Sequence, residues 1–111
     1  MQNKPRVITE ADQGKEIKLR LGETFTIQLA ANPTTGYSWY LLTGPAPWTP
    51  VSRKYVTDPH KPNLTGVGGK ETFTFKAESV GGGFLRLLYL RGFEEKINTD
   101  KAFQVRIVVQ K

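Results

Sequence analysis

Apolar and polar residues alternate with a period of two over most of this chain, the mark of strands with one buried face. Ile17-Lys18-Leu19-Arg20-Leu21 alternates apolar with basic, Gly22-Glu23 turns, and Phe25-Thr26-Ile27-Gln28-Leu29 alternates again. Tyr37 to Leu42 reads as a further strand, and a weaker one lies around Val51 to Val56. Downstream, Thr72-Phe73-Thr74-Phe75-Lys76-Ala77 alternates, Gly81-Gly82-Gly83 reads as a flexible turn, and Phe84 to Leu90 is apolar enough for a central strand. The last strand, Phe103 to Val109, puts Phe103, Val105, Ile107 and Val109 on one face. About seven strands, with turn signals every 8 to 12 residues or so, predict an all-β sandwich. No segment carries helical apolar spacing with a cap, and Pro45, Pro47 and Pro50 break the middle of the chain.

Composition narrows the possible functions. A length of 111 residues fits one domain, 1–111, with one core. The absence of cysteine excludes a disulfide framework, a thiolate nucleophile and any zinc site built on Cys. With 38% hydrophobic and 23% charged residues the chain has a globular composition, and no run approaches the roughly 18 apolar residues that cross a bilayer, so no membrane partner is expected. Met1 to Arg6 has no apolar core of a secretory signal, which is consistent with a cytoplasmic protein or with one whose leader lies outside this sequence.

A formal charge of +6 could point to nucleic acid, but the Lys and Arg residues are scattered singly and form no basic block, so no nucleic-acid partner is expected. Catalysis lacks its parts. The one histidine, His60, stands in a loop beside Asp58 and two prolines, no serine has nucleophile-elbow glycines around it, and the carboxylates have no metal-ligand spacing. No cofactor or metal is expected. Because aromatic residues are interleaved with the charges, a carbohydrate-binding sandwich or an oligonucleotide-binding barrel stands as the alternative to a protein-binding module.

Two longer connections remain, Thr57 to Gly69 and Arg91 to Asp100, and loops of that length in a small domain are often functional. The glycines of Gly66-Val67-Gly68-Gly69 lead straight into a strand and lack the Gly-Lys-Ser/Thr ending of a phosphate cradle. They would instead let backbone approach a partner. A third connection, Asn32-Pro33-Thr34-Thr35-Gly36-Tyr37-Ser38-Trp39, is a stiff turn. Pro33 fixes its own φ, the threonines are rigid at χ1, and Gly36 allows a φ that other residues avoid. Such a turn loses little entropy on binding. In an immunoglobulin-like strand order these three connections gather at one end.

Asn-Pro-Thr-Thr-Gly-Tyr-x-Trp resembles the first signature of the chagasin family, proteinaceous inhibitors of papain-like cysteine peptidases. Gly66-Val67-Gly68-Gly69 and Arg91-Gly92-Phe93 resemble its other two signatures in the same order, with Gly92 where the family usually has proline. The resemblance implies an all-β, immunoglobulin-like antiparallel β-sandwich of about seven strands, acting as a reversible, tight-binding, monomeric inhibitor of papain and cathepsin-type enzymes that fills the active-site cleft with three loops. It implies that Thr34, Thr35 and Gly36 lie over the catalytic cysteine, with Asn32 and Pro33 leading into the turn and Tyr37 supporting it. The same resemblance lays Gly66, Val67, Gly68 and Gly69 along the non-primed side and has Arg91 and Phe93 grip the opposite side.

Overall fold

The structure, a computed structural model, describes residues 6–32, 36–42, 46–57, 68–91 and 102–111, with Arg91 described as backbone alone. Its strands are β1 (Arg6–Ile8), β2 (Glu16–Arg20), β3 (Thr24–Ala31), β4 (Tyr37–Leu42), β5 (Trp48–Thr57), β6 (Gly69–Ala77), β7 (Gly81–Arg91) and β8 (Ala102–Gln110). They form two four-stranded sheets, ordered β1-β3-β6-β5 and β2-β8-β7-β4, packed as an immunoglobulin-like sandwich.

Each of the seven expected strands is present, and β1 is an addition too short to show alternation. The sandwich is not purely antiparallel. The chain changes sheet between β1 and β2 and again between β2 and β3, so β1 and β3 run the same way in one sheet and pair in parallel. β2 likewise pairs in parallel with β8. Between β1 and β2 lies one turn of 3-10 helix, Glu10–Asp12, capped when Thr9 Oγ1 accepts from the Ala11 N–H and Asp12 Oδ2 accepts from the Thr9 N–H. Three residues are too few for helical apolar spacing.

The glycine run is a correction. Gly81, Gly82 and Gly83 pair with Val109, Val108 and Ile107, so they are strand and not turn. A side chain on Gly83 would stand 3.3 Å from Trp48 Cη2, which explains the small residue: it makes room for an indole. The turn lies upstream, where the N–H groups of Glu78 and Ser79 donate to the carbonyl of Pro47 at 2.9 and 3.2 Å. The strand expected around Val51 to Val56 extends to ten residues and contains Pro50. Proline is tolerated there because β5 is an edge strand with a bulge between Pro50 and Ser52.

The alternating residues meet between the sheets. Phe25, Ile27 and Leu29 of β3 pack with Phe73 and Phe75 of β6 against Leu85 and Leu87 of β7 and Val105, Ile107 and Val109 of β8. Phe25 and Phe75 stack with centroids 5.4 Å apart. Each such side chain contributes roughly 1.5–3 kcal/mol by burial, about two to three times the net worth of one hydrogen bond, so the core sets the register and the ladder follows it. Trp39 and Trp48 are also buried.

Candidate functional site

Strand register brings the three connections to one end. Ala31 and Thr57 both stand opposite Gly69, which places the end of β3, the end of β5 and the start of β6 side by side. In the other sheet Tyr37, the first residue of β4, stands opposite Arg91, the last of β7. Cross-sheet hydrogen bonds tie these two groups together. The Asn32 N–H donates to Tyr89 Oη at 2.9 Å, and Trp39 Nε1–H donates to the Ala30 carbonyl at 3.0 Å. The connections from β3 to β4, β5 to β6 and β7 to β8 therefore leave the sandwich together.

The described members of the three motifs stand around this end. Asn32 is half-buried, and Gly36 is exposed with φ of 84°, a left-handed conformation that favours glycine. Tyr37 turns inward and stacks on Tyr89 at 5.2 Å, and Trp39 lies 4.8 Å from the same ring. Three aromatic rings thus form the stem on which the β3–β4 turn is mounted. Gly68 precedes β6, and a side chain there would meet the Ala31 carbonyl at 3.3 Å. Gly69 is buried; its bare α-carbon is needed by the chain's own β5, since a Cβ would lie 2.8 Å from Thr57 Cα and would also collide with the Val56 carbonyl. Pro33, Thr34, Thr35, Gly66, Val67 and Phe93 lie outside the described residues.

Two further residues belong to this end and escaped the sequence reading. Along β6, Gly69, Glu71, Phe73 and Phe75 face inward in phase, so Glu71 is a carboxylate on the core face, only 8% exposed. Arg53, opposite Phe73 on β5, answers it: Nε donates to Glu71 Oε1 at 2.6 Å, and Nη2 contacts the same oxygen. Nη2 also donates to Ser38 Oγ at 3.1 Å and to the Trp39 carbonyl at 3.0 Å, and the guanidinium lies 4.8 Å above the Phe73 ring. The signal was present in the sequence as a charge in phase with Phe73 and Phe75. An open groove of about 480 Å³ beside this network is lined by Gly36, Tyr37, Ser38, Arg53, Lys54 and Tyr55, among others.

No group of three or more metal-ligating side chains occurs among the described residues. A rigid sandwich that mounts three connections on one end, above tightly bonded stems, is the build of a loop-presenting binding protein. The chain matches the chagasin family of peptidase inhibitors, I42, over residues 18–107, and it belongs to that family. It is therefore an inhibitor and not an enzyme. Amoebiasin-1 of Entamoeba histolytica is 34% identical over 93% of this chain and 98% of its own length. Chagasin of Trypanosoma cruzi is 31% identical over 88% of this chain and 92% of its own. Among solved structures, the cysteine protease inhibitor EhICP2 of Entamoeba histolytica superposes with a TM-score of 0.84 over 95% of each chain at 21% identity, a likeness of fold.

Proposed function

We propose that the protein inhibits papain-like cysteine peptidases, reversibly and stoichiometrically, by pressing the three gathered loops into the active-site cleft. The observation that carries this reading is the register that places Gly36, Gly68 and the Arg91 backbone at one end, each a member of one of the three family motifs. The turn containing Thr34, Thr35 and Gly36 is the central plug over the catalytic cysteine. A turn mounted on this aromatic stem loses little entropy on binding, and an inhibitory role requires its carbonyls to stay out of line for thiolate attack. Gly66, Val67 and Gly68 offer backbone N–H and C=O groups to the cleft as an extended substrate does. Gly69 acts from beneath by letting β5 and β6 close together. Arg91 and Phe93 supply a cation and an aromatic ring on the opposite side.

An interface of standard size, about 1,600 Å², is compatible with nanomolar affinity, about 12 kcal/mol. The test is a panel of papain and cathepsin-type enzymes with trypsin and pepsin as controls. Stoichiometric, reversible inhibition confined to the cysteine peptidases is expected. No inhibition of papain or cathepsin L at micromolar inhibitor, or cleavage between Thr34 and Thr35 with loss of activity, would overturn the reading.

A further inference from the structure

We propose that Arg53 and Glu71 are positioning residues for the inhibitory turn: the ion pair between half-exposed Arg53 and buried Glu71 clamps the β4 stem, and so fixes the direction in which that turn is presented. The inference rests on the proposed inhibition of cysteine peptidases and adds residues to it. β4 and β5 are edge strands of opposite sheets, facing each other across the open side of the sandwich. The Arg53 guanidinium spans that gap. It is anchored on Glu71 of β6, lies over the Phe73 ring, and donates to Ser38 Oγ and to the Trp39 carbonyl, both within three residues of Gly36.

A planar, multi-donor cation suits this geometry. One guanidinium serves the carboxylate, the hydroxyl and the carbonyl together from fixed directions, which a single ammonium group does not. Glu71 is too buried to touch a peptidase, so any effect it has on inhibition must pass through Arg53 and the stem. Without Arg53, the edge of β4 beside the groove would rest on its ladder to β7 and on the inward contacts of Tyr37 and Trp39 alone.

The experiment compares wild type with Arg53→Lys, Glu71→Gln and Ser38→Ala, following association with and dissociation from papain, thermal midpoint, and hydrogen exchange of the amides of residues 36–39 in the free protein. Arg53→Lys and Glu71→Gln should each raise the dissociation rate about tenfold while the association rate stays within about threefold, as expected when pre-organisation is lost. Ser38→Ala, which removes one of the donated bonds, should give a smaller effect of the same kind. Exchange at residues 36–39 should quicken in the free protein. Val109→Ala, a core truncation at the opposite end, should lower the thermal midpoint and leave dissociation unchanged. If Arg53→Lys raises dissociation and Glu71→Gln does not, Arg53 is a direct contact and the positioning role is wrong. Unchanged exchange in both variants overturns it too. Failure of wild type to inhibit papain would remove the inhibitory reading instead, and the exchange measurement would still decide whether the clamp exists.

Discussion

Replacing Gly69 by alanine tests whether the last glycine of the second motif serves the fold or the partner. A Cβ at this position would stand 2.8 Å from both Thr57 Cα and Tyr55 Oη, with the Val56 carbonyl closer still. Reaching ordinary contact requires β5 and β6 to part by at least about 0.6 Å, and the obstacles are mostly backbone, which does not swing aside. Overpacking of this kind costs about 1–3 kcal/mol, and the backbone obstacles place Gly69→Ala at the top of that range. For a domain of this size that lowers the thermal midpoint by roughly 10–15 °C. Gly68→Ala is the matched comparison. Its Cβ would approach the Ala31 carbonyl at 3.3 Å, which needs a shift of a few tenths of an ångström, and the entropy removed from the unfolded chain offsets part of the cost. Its midpoint should stay within about 3 °C of wild type. Thermal unfolding by circular dichroism reads both, and papain inhibition measured well below either midpoint reads function. A Gly69→Ala protein as stable as wild type, or a Gly68→Ala protein that loses as much stability as Gly69→Ala, would refute the assignment of the close approach to Gly69.

Gly36→Ala places a side chain at φ of 84° and should cost about 1–2 kcal/mol of stability by denaturant titration, with inhibition weakened as the turn is re-aimed. A fully active, equally stable variant would show that the left-handed conformation is dispensable. Thr35→Lys should weaken papain inhibition by at least about 2 kcal/mol with an unchanged thermal midpoint, because binding energy concentrates in the desolvated centre of an interface. Undiminished inhibition by the folded variant would remove Thr35 from the cleft.

The strands were legible because one rule produced them: alternation places Phe25, Ile27 and Leu29, or Phe103, Val105 and Ile107, on the same buried face, and the structure buries them. The misread segments are those where a local signal meant something tertiary. A run of three glycines is turn chemistry in isolation, whereas Gly83 is small because Trp48 of the other sheet needs the space. Parallel pairing of β1 with β3 and of β2 with β8 is invisible to periodicity, since alternation reports a buried face and not the direction of a neighbour. Within the site, the motif residues Asn32, Gly36 and Tyr37 announced themselves by turn chemistry and aromatic spacing. Arg53 and Glu71 are harder to find: Glu71 shows only as a charge in phase with Phe73 and Phe75, and its partner, 18 positions away, looks like an ordinary solvated charge until β5 is set against β6.

The interior of the sandwich changes character along its length, and stability alone does not account for the change. Away from the loops the inward positions are apolar, whereas beneath them the inward row of β6 passes through Glu71 to Gly69, with half-exposed Arg53 of β5 reaching Glu71 from the sheet edge. An ion pair whose cation is 47% exposed adds little to stability, because solvent screens the attraction and holding a long side chain in one geometry costs entropy. What the polar groups add is direction. Each bond from Arg53 to Glu71, Ser38 and Trp39, and each from Asn32 to Tyr89 and Trp39 to Ala30, is satisfied in one arrangement of the stems, while apolar packing tolerates several. A loop that must enter a cleft without being cut needs its orientation held more than its attachment strengthened. The apolar end supplies the folding energy, and the polar end spends part of it on holding one geometry where the loops leave the sheet.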